Sequence, residues 1–195
     1  MSAWPDLPVA TPRLWAVPGA ALAGLALLAL LGPAANTALF TSINHAAALL
    51  DERFWSAATV IGDTLVAFTL LLFVLRRHPE WVMAVLLAVL PALLLSHGLK
   101  EWFASPRPYA VIGESVHVIG PYLKAGAFPS GHTTTAFTLA GVLALGVRRQ
   151  GWLYAALALA ALAALSRVAV GAHWPVDLLG GILCGWVSAW IIGRT

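Results

Sequence analysis

Long apolar runs broken by short polar punctuation dominate this chain. Crossing the hydrocarbon core of a bilayer takes about 20 mostly apolar residues. Six stretches approach that length, at residues 14–35, 55–75, 81–99, 132–147, 152–170 and 176–192. The pattern predicts an all-α polytopic membrane protein. Its six transmembrane helices would form one domain over residues 1–195. The first stretch has features of a secretory signal, with Arg13 before it and Ala34-Ala35 near its end. Its apolar core is longer than about 15 residues, and further spans follow it, so it reads as a retained first helix.

The connections are unequal. Residues 76–80 and 148–151 form tight, charged turns. Residues 36–54 carry Asn36, Asn44, His45, Asp51, Glu52 and Arg53, and are expected to lie along the outer interface. The longest link, 100–131, holds Pro106, Pro108, Pro121 and Pro129 with Gly113, Gly120 and Gly126. Loops of that length in compact domains are usually functional.

Composition removes the soluble alternatives. Of 195 residues, 61% are hydrophobic and only 10% charged, against about 25% charged in soluble domains. Six tryptophans (Trp15, Trp55, Trp81, Trp102, Trp152 and Trp174) flank span ends, as in interfacial aromatic belts. Trp186 and Trp190 fit a core position equally well. The single Cys184 offers neither an intrachain disulfide nor a cysteine metal site. The net charge of +3 is scattered between apolar runs, which argues against nucleic-acid binding.

Arg13, Arg76, Arg77, Arg148, Arg149 and Arg194 fall on one side of a six-span arrangement. Arg53, Lys100, Arg107, Lys124 and Arg167 fall on the other. With Lys100, Arg107 and Arg167 reserved for chemistry, six cations face two. That bias places both termini in the cytoplasm and the second side outside.

Ionisable side chains at span ends are costly and call for an explanation. Three clusters share the outer side: Lys100 to Pro108, Phe128-Pro129-Ser130-Gly131-His132, and Ser166-Arg167 with His173-Trp174-Pro175-Val176-Asp177. Taken singly, Lys100 reads as a snorkelling lysine, Arg167 as a topology marker and His132 as a helix-start residue. Chance does not readily place all of them on one side.

Together, Lys100, Arg107 and Arg167 supply cations and N–H donors suited to a phosphoryl dianion. Ser130 suits a helix cap, and Gly131 admits a ligand close to backbone N–H groups at a helix start. Asp177 follows His173 by four residues, so on a helix they would share a face. A carboxylate there holds one imidazole nitrogen protonated and leaves the other free to attack. One histidine then serves as nucleophile and the other as general acid and later base. This scheme needs no metal and no other cofactor.

Lys100-(six residues)-Arg107-Pro108, Pro129-Ser130-Gly131-His132 and Ser166-Arg167-(five residues)-His173-(three residues)-Asp177 resemble the three signatures of the type-2 phosphatidic acid phosphatase superfamily. The motifs are complete and in order, and the bacterial six-span membrane lipid phosphatases are the branch the layout resembles. The resemblance implies His173 as nucleophile, Asp177 as its orienting partner and His132 as the acid. It implies phosphate binding by Lys100, Arg107, Ser130, Gly131 and Arg167, with Ser166 in a supporting hydrogen bond.

The resemblance further implies a phosphorylated lipid substrate, a bacterial inner-membrane location and no obligate protein partner. Undecaprenyl diphosphate and phosphatidylglycerophosphate or phosphatidate are the leading substrates, with lipid A phosphatase and lipid phosphotransferase as alternatives. Some relatives of undecaprenyl type carry Asp where this chain has Gly131. A transporter or scaffold of the same fold is the non-enzyme alternative, disfavoured by intact His132, His173 and Asp177.

Outside the motifs, Asp63 lies within the second span beside Gly62 and Thr64. Its bland reading is a carboxyl that packs helices; intramembrane carboxylates are also functional candidates. His97 shares a helical face with Lys100 and is a candidate supporting or interfacial residue. Glu101, Glu114, His117 and Lys124 sit in the long loop, where they are placed to shape headgroup entry.

Overall fold

The computed structural model describes residues 15–75, 77–146 and 150–193. Arg13, Arg76, Arg148, Arg149 and Arg194, on which most of the charge bias rests, lie outside the described residues. The described chain is all-α. Its helices are α1 (Ala16–Ala47), α2 (Glu52–Val60), α3 (Thr64–Leu75), α4 (Pro79–Phe103), the short α5 (Pro108–Ile112), α6 (Gly131–Gly146), α7 (Gln150–Ala169) and α8 (Pro175–Ile192).

Four of these, α1, α4, α7 and α8, are long and apolar enough to cross a membrane. The pair α2 and α3 adds a fifth candidate, bent by 60° at residues 61–63. The expected span 55–75 is therefore broken. Its hydropathy is continuous, but α2 ends at Val60 and Asp63 caps the start of α3, its Oδ1 accepting from the N–H groups of Leu65 and Val66 at 2.8 and 3.1 Å. The expected span 132–147 corresponds to α6, which has 16 residues, short of the usual crossing length of about 20.

The placement of residues 36–54 along the interface is overturned for its first part. Helix α1 continues to Ala47 after a bend at Gly32, whose φ of 79° and ψ of 179° are non-helical, followed by Pro33. Proline lacks the N–H that would close the helical ladder there, and glycine accepts the positive φ. Two polar residues beyond the bend, Asn36 and Asn44, reach other segments as clamps. Asn44 is fully buried. Its amide donates to the carbonyls of His117, Val168 and Ala169 at 2.9–3.2 Å, and its oxygen accepts from the N–H of His117 at 2.9 Å. Asn36 Oδ1 accepts from the N–H of Val176 at 3.2 Å.

The tightest packing joins α6 to α8. A Cβ on Gly181 would lie 2.7 Å from the Ser130 carbonyl oxygen, and one on Gly185 would lie 2.5 Å from that of Thr134. Any side chain at these positions would push the helices apart, whereas glycine lets them touch through backbone. The start of α6 is thereby fixed against the start of α8.

Two of the expected belt tryptophans are core residues. Trp55 and Trp174 are buried; their indole N–H groups donate to the carbonyls of Ala47 and Pro106, each at 2.9 Å. Burial of an indole is favourable when its polar edge finds such a partner. Trp15, Trp102 and Trp152 are exposed, as a belt requires. Trp186 is a core residue packed with Phe137 and Ala163.

Candidate active site

The three polar clusters converge at one end of the bundle. They meet at the C-terminal ends of α4 and α7, the N-terminal ends of α6 and α8, and the folded-back link 104–130. Pro106 forms an isolated antiparallel bridge with Ala125, and the N–H of Arg107 donates to the Lys124 carbonyl at 3.0 Å. The N–H of Ser130 donates to the Asp177 carbonyl at 3.0 Å, and that of His173 to the Arg167 carbonyl at 3.1 Å. These bonds tie the first cluster to the folded-back link, the second cluster to the third, and the two halves of the third to each other.

His173 is almost fully buried. Its Nδ1 lies 3.3 Å from Asp177 Oδ2, and its Nε2 lies 3.3 Å from Arg107 Nη1. A guanidinium only donates, so Nε2 is the acceptor and the ring proton belongs on Nδ1, facing the carboxylate. Burial lowers the proton affinity of this ring well below the ordinary histidine range, and the guanidinium of Arg107 adds to the effect. The neutral ring with a bare Nε2 is the form able to attack phosphorus.

The closeness of His173 and Asp177 does not come from a shared helical face, as their spacing had suggested. His173 precedes α8, and Asp177 stands at its third position in a capping box. Asp177 Oδ2 accepts from the N–H of Trp174 at 2.8 Å as well as facing His173. One oxygen thus caps the helix and orients the imidazole.

The cations are pinned rather than free to rotate. Lys100 Nζ donates to the Gly126 carbonyl at 2.8 Å. Arg107 donates to the carbonyls of Ala125, Ala172 and Gly126 at 2.8, 3.0 and 3.3 Å. Arg167 is buried at the end of α7, with Nη1 bonded to the hydroxyl of Thr59. Its Nε has no protein acceptor among the described residues, a buried donor suited to an anion's oxygen.

Ser130 is fully buried at the start of α6, and its Oγ accepts from the Thr133 hydroxyl at 3.0 Å. Gly131 follows with open space where a Cβ would stand, so an anion has room at the helix's unpaired N–H groups. His132 is partly exposed, 4.0 Å through Nε2 from Asp63 Oδ2. Ser166 Oγ donates to the Ala163 carbonyl at 2.7 Å within its own helix. His97 is exposed and bonded to the Leu93 carbonyl of its own helix at 2.9 Å.

A largely apolar cleft of about 750 Å³ reaches the site beneath the bend of α1. Leu25, Leu28, Phe103, Phe128 and Val176 line its walls, and Trp174 and Asp177 lie at its polar end.

Several participants were missed from the sequence. The carbonyls of Ala125, Gly126 and Ala172 have no side-chain signature. Thr59 did carry a signal, being a hydroxyl inside an apolar run.

The sequence model of the PAP2 superfamily matches residues 81–195. The chain is 25% identical over 154 residues to undecaprenyl-diphosphatase BcrC of Bacillus subtilis (strain 168), covering 78% of each protein. It is 27% identical over 197 residues to phosphatidylglycerophosphatase B of Escherichia coli (strain K12), covering 75% of this chain and 77% of that one. The crystal structure of Aquifex aeolicus LpxE superposes with a TM-score of 0.73 at 32% identity, over 80% of this chain and 93% of that one. With the family match spanning more than half of its length and all three converging clusters, the chain belongs to the PAP2 superfamily as a membrane-embedded phosphatase.

Proposed function

We propose that this protein hydrolyses a lipid phosphate or diphosphate through a phosphohistidine on His173, at the outer face of the membrane. The observation that carries this reading is the His173 imidazole. It is buried and neutral, with Nδ1 towards Asp177 and Nε2 beside Arg107. The adjoining apolar cleft supports a substrate with a long hydrocarbon tail.

In the first half-reaction Nε2 of His173 attacks phosphorus in line, the P–O bond to the lipid breaks, and His132 gives its proton to the departing oxygen. Lys100, Arg107 and Arg167, with the N–H groups opening α6, stabilise the charge on the equatorial oxygens. In the second half-reaction His132 takes a proton from water, the water oxygen bonds to phosphorus, and the P–N bond breaks. Inorganic phosphate leaves, and His173 is neutral again.

The test is a panel of undecaprenyl diphosphate, phosphatidylglycerophosphate, phosphatidate and lipid A, assayed for phosphate release by the purified protein in detergent. The first two are favoured, since relatives bear those activities in their names. Vanadate is expected to inhibit as a mimic of trigonal-bipyramidal phosphorus, and EDTA to leave the rate unchanged. Release from none of the four lipids would overturn the reading; loss of activity on chelation would overturn its metal-independent chemistry.

The orientation belongs to the same proposal: six crossings, made by α1, the α2–α3 pair, α4, α6, α7 and α8, with both termini cytoplasmic in a bacterial inner membrane. Glu114 lies exposed in the long link. Glu114→Cys, placed on a Cys184→Ser background, is expected to react with a membrane-impermeant maleimide in intact spheroplasts. Labelling only after lysis would reverse the orientation.

A further inference from the structure

The break between α2 and α3 contacts the candidate site at successive positions, and the proposed mechanism leaves it unused. Thr59, in the last turn of α2, holds Nη1 of Arg167. Gly62 lies so close to the start of α6 that a Cβ there would be 2.9 Å from the His132 carbonyl oxygen and 3.0 Å from its Cβ. Asp63 presents Oδ2 to His132 Nε2 at 4.0 Å. Thr64 then bonds to Thr135, the hydroxyls 2.9 Å apart. Thr59, Gly62, Asp63 and Thr64 all precede the stretch matched by the family model, which begins at residue 81.

A helix cap alone does not require this arrangement. Oδ1 of Asp63 already satisfies the N–H groups of Leu65 and Val66, and Oδ2 is left to face the ring. The other charges acting on His132 are all positive: Arg167, Arg107 and Lys100. A general acid must begin each cycle protonated. Asp63 is the negative charge that opposes these cations.

We propose that Asp63 is a positioning residue that holds Nε2–H of the His132 imidazolium, so that Nδ1–H is the proton delivered to the leaving oxygen. It stands to His132 as Asp177 stands to His173: each catalytic histidine has its own carboxylate, one supplied by α8 and the other by the break in the second span. The proposal rests on the reading of His132 as general acid. In each half-reaction the carboxylate stays ionised, and the proton moves only between His132 and the lipid oxygen or water.

The test uses purified full-length protein in detergent with two probes. Dodecyl phosphate has an alkoxide leaving group that needs protonation, whereas 4-nitrophenyl phosphate has one that departs without it. Asp63→Asn keeps a capping oxygen and removes the charge; Asp63→Ser, a second neutral cap, guards against a folding defect peculiar to the amide. In both variants kcat/KM for dodecyl phosphate, which stops at departure of the leaving group, is expected to fall by about tenfold or more, with a much smaller fall for 4-nitrophenyl phosphate. The alkaline limb of the kcat/KM profile for dodecyl phosphate should move to lower pH by about one unit or more, since an opposite charge no longer favours the protonated ring. A merely structural carboxyl would lower both rates equally and leave that limb in place, which would overturn the proposal. His132→Gln separates the two levels of inference. If it loses the alkyl substrate selectively and the Asp63 variants do not, Asp63 has no such role. If its kcat/KM, which ends at departure of the leaving group, falls equally for both probes, the acid role of His132 falls, and the role of Asp63 with it.

Discussion

His173→Ala is expected to lower phosphate release by about 10⁴-fold or more, the scale seen when an enzyme loses the nucleophile of a covalent mechanism. The ring is buried, so the variant leaves a cavity. The surrounding backbone bonds, from the His173 N–H to the Arg167 carbonyl and from the Ala172 N–H to the same carbonyl, do not involve the imidazole. The protein should therefore still elute as a folded species in detergent. Wild-type protein quenched in alkali during turnover on ³²P-labelled substrate should carry acid-labile label, and the variant none. Substantial release by folded His173→Ala would remove this residue from the nucleophile role.

The second large effect concerns Asp177, where two substitutions should differ. Asp177→Ala removes the oxygen that faces Nδ1 of His173 and caps α8 through Trp174. Turnover should fall by about 10³- to 10⁴-fold, since an unheld imidazole loses both its tautomer and its aim. Asp177→Asn can place its one carbonyl oxygen where Oδ2 stands. Both N–H groups would then keep their acceptor, and only the charge would be lost. The asparagine variant should retain at least about tenfold more activity than the alanine variant, given the value of a correctly held base. Equal activity of the two, measured as kcat on the best lipid of the panel, would show that charge rather than orientation is what Asp177 supplies.

The site was more legible in the sequence than the path of the chain around it. Lys100, Arg107, His132, Arg167, His173 and Asp177 stand out because charged groups beside apolar spans are costly, and three spaced clusters on one side ask for a common cause. Their convergence follows from helices alternating in direction. The spacing of His173 and Asp177 pointed to the right pair for the wrong reason, because a four-residue interval fits a helix cap as well as a helical face.

Continuous hydropathy concealed the break at Asp63. Nothing in a one-dimensional pattern distinguishes a carboxyl that packs helices from one that caps the start of a new helix. The inward role of Asn36 and Asn44 was hidden for a related reason. Asn44 reads as an interface residue until its partners, the carbonyls of His117, Val168 and Ala169, are known. Those partners are 73, 124 and 125 residues away along the chain.

The bend at Gly32 and Pro33 has a kinetic consequence. It forms one wall of the cleft, together with Leu25, Leu28 and Ala29 from the preceding turns of α1. These residues belong to a span read as crossing the hydrocarbon layer. A tail held there never has to leave that layer, and only the phosphate has to reach water. Encounter is then a two-dimensional search, and what the protein senses is how many of its neighbours are substrate. The quantity that sets its rate is a surface density, the mole fraction of substrate among the surrounding amphiphiles, rather than an amount per litre.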